Sequence, residues 1–142
     1  MNELENKLRI YYITAIFSLI FAVIGFSYNA WRLELTEENS NIRTASFKVL
    51  TELAELEQII YVAHYDQDKG AGNPRVAWVK VGLIVDLSLL IDMSVNVQAK
   101  ELHKAWSNNW EQLEAKESVV KDLVSEIDNV RQQVKQVLYD LK

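Results

Sequence analysis

The only imidazoles in the chain are His64 and His103, so they are the first residues to weigh for proton transfer or metal ligation. Di-iron carboxylate proteins set a Glu three residues ahead of such a His; here Glu101 stands two ahead of His103, the wrong helical spacing. Three long helices would also carry His64 and His103 toward opposite ends of the fold, so no shared metal or bis-His haem is expected. The stretch "HYDQDKGAG" spaces Asp66 and Asp68 like the opening of a calcium loop. No oxygen ligand follows at the fifth position and no Glu at the twelfth, which leaves a solvated acidic turn. "GAGNP" lacks the Lys-Ser/Thr of a phosphate loop and follows a helix rather than a strand. Glu52, Glu55 and Glu57 fall largely off the helical seam and read as a solvated face. No Ser-His-Asp or paired-carboxylate arrangement can be assigned from spacing. Catalytic, metal-binding and cofactor-binding residues are therefore expected to be absent, and the protein is expected not to be an enzyme.

Composition narrows the field further. The formal net charge is −5 and no Lys/Arg cluster stands out, so neither a nucleic-acid partner nor an anionic-lipid patch is expected. Zero Cys removes disulfides, Cys-ligated zinc, c-type haem attachment and thiol catalysis together. One Pro and four Gly in 142 residues favour helix strongly over sheet.

The strongest signal is "RIYYITAIFSLIFAVIGFSYNAW". Residues 10–30 run without a charge, about 31 Å of helix at 1.5 Å per residue, against a hydrocarbon core of about 30 Å. Tyr11 and Tyr12 at one end, and Tyr28 and Trp31 at the other, are the amphipathic aromatics that favour headgroup level. A cleaved signal peptide would end in small residues, whereas Tyr28-Asn29-Ala30 puts a bulky ring at the cleavage position. Residues 10–31 are thus expected to span a bilayer as an uncleaved anchor behind a short tail, residues 1–9. Lys7 and Arg9 before the span nearly balance Arg32, Arg43 and Lys48 after it. A short tail ahead of a single span most often stays in the cytoplasm, which places the C-terminal domain on the periplasmic or extracytoplasmic side.

Residues 32–142 hold the elements that would carry any site. Ile42, Ser46, Val49, Leu53, Leu56, Ile60 and Ala63 step by four and three, the seam of a packed helix. Nothing between Trp31 and Ile42 breaks a helix, so span and seam can be one rod. After the Gly-rich loop, Asn73-Pro74 is an N-cap followed by Pro at the first helical position. A second helix is expected to residue 106, and a third from a weak capping box at Asn108 and Glu111. In that third helix Val120, Leu123, Ile127, Val130, Val134, Val137 and Leu141 keep the heptad step. The expected fold is all-α: a transmembrane helix continuing into an antiparallel three-helix bundle. A break near Asp92-Met93-Ser94, where Ser94 and Asn96 are polar, would make it four helices.

Residues 76–93 fit a lone three-helix bundle poorly. Thirteen of these 18 residues are apolar and they fall all round the helix, which calls for burial on every side. A protein partner or second copy is expected there, touching Trp78, Val81, Val85 and Leu89. If the second helix returns to the bilayer, Trp106 and Trp110 join Tyr11, Tyr12, Tyr28 and Trp31 at the membrane interface. In outline, a signal-anchored helical bundle resembles the sensor modules of bacterial chemoreceptors and histidine kinases, an architectural likeness that covers no motif. The expectation is a non-enzymatic, membrane-anchored interaction, scaffold or accessory subunit without a cofactor. The alternative is a membrane-anchored module that senses a small molecule between its helices.

Overall fold

A computed structural model describes residues 2–141. Among the described residues all regular structure is helical: α1 (Asn2–Tyr61), α2 (Pro74–Ser88), α3 (Met93–Asn109) and α4 (Glu117–Asp140). A π-helical turn, Val62–Asp66, ends α1, and a 3-10 turn, Trp110–Gln112, ends α3. The chain forms two compact units, Met1–Glu38 and Asn39–Lys142.

The first unit is the N-terminal part of α1. It contains a helical stretch long and apolar enough to cross a membrane, none of it buried within the protein. Side chains as large as Phe21 and Phe26 stand fully outward. With no Pro and a single Gly before residue 39, nothing interrupts the backbone hydrogen bonds. The residues before position 10, expected as a separate tail, are helical from Asn2.

The second unit packs the rest of α1 with α2, α3 and α4 around one core. The predicted seam is buried from Ser46 through Val49, Leu53, Leu56 and Ile60 to Ala63, with Ile42 half-buried, and Ala45, Glu52 and Ile59 beside it are buried as well. In α4 the seam residues Val120, Leu123, Ile127, Val130 and Val134 are buried, while Val137 is half-buried. Ala77, Val81, Ile84 and Ser88 of α2, and Val95, Ala99, Leu102 and Trp106 of α3, follow the same four-three-four rhythm.

The single second helix expected from the sequence is two. Ser88 ends α2, a tight turn follows, and Asp92 takes an extended conformation with its carboxylate accepting from the Ser94 N–H at 2.7 Å. That N-cap starts α3. Two buried side chains hold the reversal: Ser88 Oγ donates to the Val85 carbonyl (2.6 Å), and Asn96 Nδ2 donates to Ser88 Oγ (2.8 Å) and to Val85 O (3.2 Å). The last helix also begins later than the Asn108–Glu111 spacing suggests. α3 continues through Asn109, Leu113 is buried in the core after it, and α4 starts at Glu117 with no side-chain cap.

The loop before α2 is built as the sequence implies. Asp68 Oδ1 accepts from the N–H groups of Gly70 (2.7 Å) and Ala71 (3.1 Å), an Asx turn. Gly72 is buried so close to α1 that a Cβ would lie 2.6 Å from Ala63 Cα. Asn73 then caps α2 by accepting from Arg75 N at 2.9 Å, with Pro74 opening the helix.

Two clefts mark the ends of this unit. Ile42 shares one of about 370 Å³ with Ile91, Ser94, Val137 and Leu141. Ala63 shares the other, of about 160 Å³, with Gly72, Pro74, Trp110 and Leu113. The end at which α1 enters the unit therefore carries the α2–α3 turn, and the end at which α1 stops carries the α3–α4 connection.

Leu53→Ala and Ile127→Ala each remove a fully buried side chain and are expected to cost about 2–5 kcal/mol through lost burial and a residual cavity. Lys135→Ala, on the exposed side of α4, is expected to change stability by less than about 0.5 kcal/mol. Thermal melts of the chain in mild detergent check the contrast; equal sensitivity at the three positions contradicts the core assignment.

Candidate interaction surface

The residues expected to meet a partner are divided by the structure. Val81 is fully buried inside its own unit, on the inward face with Ala77, Ile84 and Ser88, and so has no surface to offer a partner. Val85 is half-buried, and its carbonyl is occupied by the Ser88 and Asn96 bonds. Trp78 is half-buried against His103 (ring centroids 5.6 Å apart) and Trp106 (6.3 Å), both edge-on. Only Leu89 of the four stands well exposed.

The apolar excess of residues 76–93 nevertheless reaches solvent, on a different stripe. Val76 and Val79 are exposed and Leu83 is half-buried; their steps of three and four put them on the outer side of α2. Sequence periodicity hid this stripe, because two apolar stripes on one helix read as apolar all round. Leu90, Met93 and Val97 extend the exposed apolar surface past the turn into α3.

The aromatics expected at a membrane interface also divide. Tyr11, Tyr12, Tyr28 and Trp31 are exposed on α1, with Tyr28 and Trp31 in contact at 6.3 Å between ring centroids. Trp106 is fully buried, the largest side chain to be so, and Trp110 is half-buried in the cleft with Ala63 and Pro74. Trp106 therefore serves the core and offers no face to a headgroup. The cause is the division of the second helix: once α3 turns back, Trp106 and Trp110 lie where α1 stops.

The same reversal overturns the expected separation of the histidines. His64 Nδ1 meets the Leu113 carbonyl at 2.8 Å. His103 lies on Trp78, one turn from Pro74, which lines the cleft beside Ala63. Each imidazole is thus engaged within the same half of the unit by a different partner. Among the described residues no three His, Cys, Asp or Glu side chains gather as a metal would require.

The acids of α1 are less solvated than their spacing suggests. Glu52 is buried, with Lys48 Nζ 2.6 Å from Oε1 and Lys80 Nζ 2.8 Å from Oε2. Lys80 also bonds Glu55, so the ammonium joins α2 to two carboxylates of α1. Hydrogen bonds from Lys48 and then Lys80 hold the Glu52 carboxyl below its ordinary 4.5, outweighing the opposing effect of burial. Burial likewise works against the charged Lys80, but its bonds to Glu52 and Glu55 more than offset this and raise its pKa. A second tie joins α1 to α4: Arg131 meets Glu57 at 2.6 Å and also bonds Asp128. Glu57 in turn accepts from the Tyr61 hydroxyl at 3.1 Å. A buried carboxylate can serve as a general base, but both oxygens of Glu52 are already taken by ammonium groups. Its arrangement does structural work, linking helices.

The depressed Glu52 pKa gives this link a pH dependence. Its contribution is complete above about pH 4.5 and is lost as pH falls through the depressed value. Glu52→Gln is therefore expected to show a smaller stability loss than the parent chain between pH 7 and pH 3. Lys80→Met, which strips a buried carboxylate of one partner, is expected to cost about 3 kcal/mol at pH 7. Denaturant melts at the two pH values check both; identical acid losses in parent and Glu52→Gln would remove Glu52 from the account. Compared with protein-family models, with curated proteins and with solved structures, the chain matches none.

Proposed function

We propose that this chain is a non-enzymatic, membrane-anchored subunit that binds a protein partner or a second copy through the outer face of α2. The observation that carries the reading is the outer stripe of α2, on which Val76 and Val79 are exposed and Leu83 is half-buried. Leaving such side chains wet forgoes on the order of 1.5–3 kcal/mol each, and a contiguous apolar surface of this kind marks an interaction site. The anchor is residues 10–31, whose length matches the hydrocarbon core and whose ends carry Tyr11, Tyr12, Tyr28 and Trp31. We place the C-terminal unit on the extracytoplasmic side, following the short N-terminal tail. In this reading the second unit is an antiparallel four-helix bundle, supported by the two clefts, which bring together the ends of helices that alternate in direction.

A second reading, sensing of a small molecule, draws support from an open cleft of about 440 Å³ between α1 and α4. Tyr61 and Tyr65 line it with Lys121, Asp128, Asn129 and Gln132, a volume within the usual range for small-ligand sites.

Replacing Val79 and Leu83 singly by Asp in the full chain tests the first reading. The expected outcome is loss of assembly mass by light scattering in detergent, or loss of cross-linked partners, with helix content retained. Unchanged mass and unchanged partners in both folded variants overturn it. Resistance to carbonate extraction from membranes checks the anchor separately; full release contradicts it.

A further inference from the structure

We propose that the turn between α2 and α3 docks on the lipid surface, with Leu89, Leu90 and Met93 entering the boundary between headgroups and acyl chains. The inference rests on the membrane-anchor reading above and adds a second point of lipid contact to it. It also reassigns Leu89, expected from sequence to touch a protein.

Three observations support it. The first is exposure without slack. Leu89, Leu90 and Met93 are each more than 60% exposed, with Val97 one turn behind, while Ile91 between them is buried. The turn is held by backbone bonds from Leu90 N to Leu87 O (3.0 Å) and from Ile91 N to Ser88 O (3.1 Å). The Asp92 cap closes its far side. Ile91 takes the inward position of this turn, and the two leucines before it point to solvent.

The second is position. Ile91 and Asp92 share a cleft with Ile42, so the turn occupies the end of the second unit at which α1 enters. Only residues 32–41 separate Ile42 from the aromatic end of the apolar stretch at Trp31. Ten residues reach about 15 Å as helix and no more than about 36 Å fully extended. In the anchor reading, this tether bounds how far that end of the unit can lie from the bilayer surface.

The third is chemistry. Residues 81–99 contain no Lys or Arg, and the charges beside the turn are Asp86 and Asp92, with Asp140 lining the cleft. A contact here is apolar rather than electrostatic, suited to zwitterionic lipid and insensitive to salt. A second copy is a poorer occupant, since three side chains fall well short of the roughly 800 Å² per partner that a stable protein interface buries.

The absence of Cys makes the test clean. Single-cysteine variants Leu90→Cys, Glu111→Cys and Phe21→Cys of the full chain carry a polarity-sensitive fluorophore and are reconstituted into phosphatidylcholine vesicles. Nitroxide-bearing phosphatidylcholine then serves as the quencher. The expected result is a several-fold rise in emission with a blue shift at position 90, quenched by nitroxide lipid and unchanged in 0.5 M salt (~3–5 Å Debye length). Position 111, at the other end of the unit, stays dim and unquenched. Quenching at position 21 without quenching at 90 overturns this inference and leaves the anchor standing. Quenching at neither position removes the anchor and the turn contact together. A bright label at 90 that lipid does not quench, with doubled mass by light scattering, assigns the turn to a second copy and overturns the proposal. As a second variant, Leu90→Asp with Met93→Asp should lower the emission of a label at Leu89→Cys several-fold with helix content unchanged; undiminished emission also overturns it.

Discussion

The reversal between α2 and α3 decides how the rest of the second unit is arranged. It depends on a small set of bonds: the Asp92 carboxylate on the Ser94 N–H, and Asn96 reaching back to Ser88 Oγ and the Val85 carbonyl. Ser88 and Asn96 are fully buried, so each bond replaces water that the core excludes, and losing one would strand a polar group in apolar surroundings. Because the chain turns here, α3 runs back along α2. Trp106 then falls inside the core, His103 meets Trp78, and the α3–α4 connection returns to where α1 stops. Without the turn, a single long helix would carry its aromatic end to the other side of the unit.

Much of this organisation was legible from residue spacing. The α1 and α4 seams follow apolar steps of three and four, since burial of one helical face leaves a periodic record in the sequence. The capped start of α2 was equally plain, because Asn73 and Pro74 act through their own backbone neighbourhood. The α2–α3 break was harder to see. Residues 76–93 remain apolar through the turn, so the hydrophobic pattern continues where the helix does not, and only the polar Ser94 and Asn96 hinted at the change. Asp92 works as a cap by taking an extended backbone, which its identity permits but does not require.

The exposed apolar stripe of α2 lies in a segment whose apolar excess was legible, but which face is covered was not. Val81 shares with Val79 a segment that is apolar throughout, and only the packing of α1 and α3 decides which of the two valines is covered. Glu52 shows the same limit from the polar side. Its burial depends on Lys80, 28 positions away, and no local pattern shows that an ammonium will arrive from another helix. Local capping leaves a local trace; the covering of one face by a distant helix does not.

The Glu52–Lys80 pair also bears on alignment. A seam of repeating apolar residues is degenerate: slide α1 by one heptad and Val49 takes the place of Leu56, Leu53 that of Ile60, with little change in character. The same slide brings Ala45 or Ile59 to the position facing Lys80 and strands a half-buried ammonium without its inner carboxylate. Removing one partner from a buried ion pair is costly, whereas the pair itself adds little over a well-packed apolar contact. The pair's effect is therefore to single out one alignment among several that the apolar contacts alone would allow. It acts as a key in a keyway, fixing which residues of α1 face α2 inside the second unit.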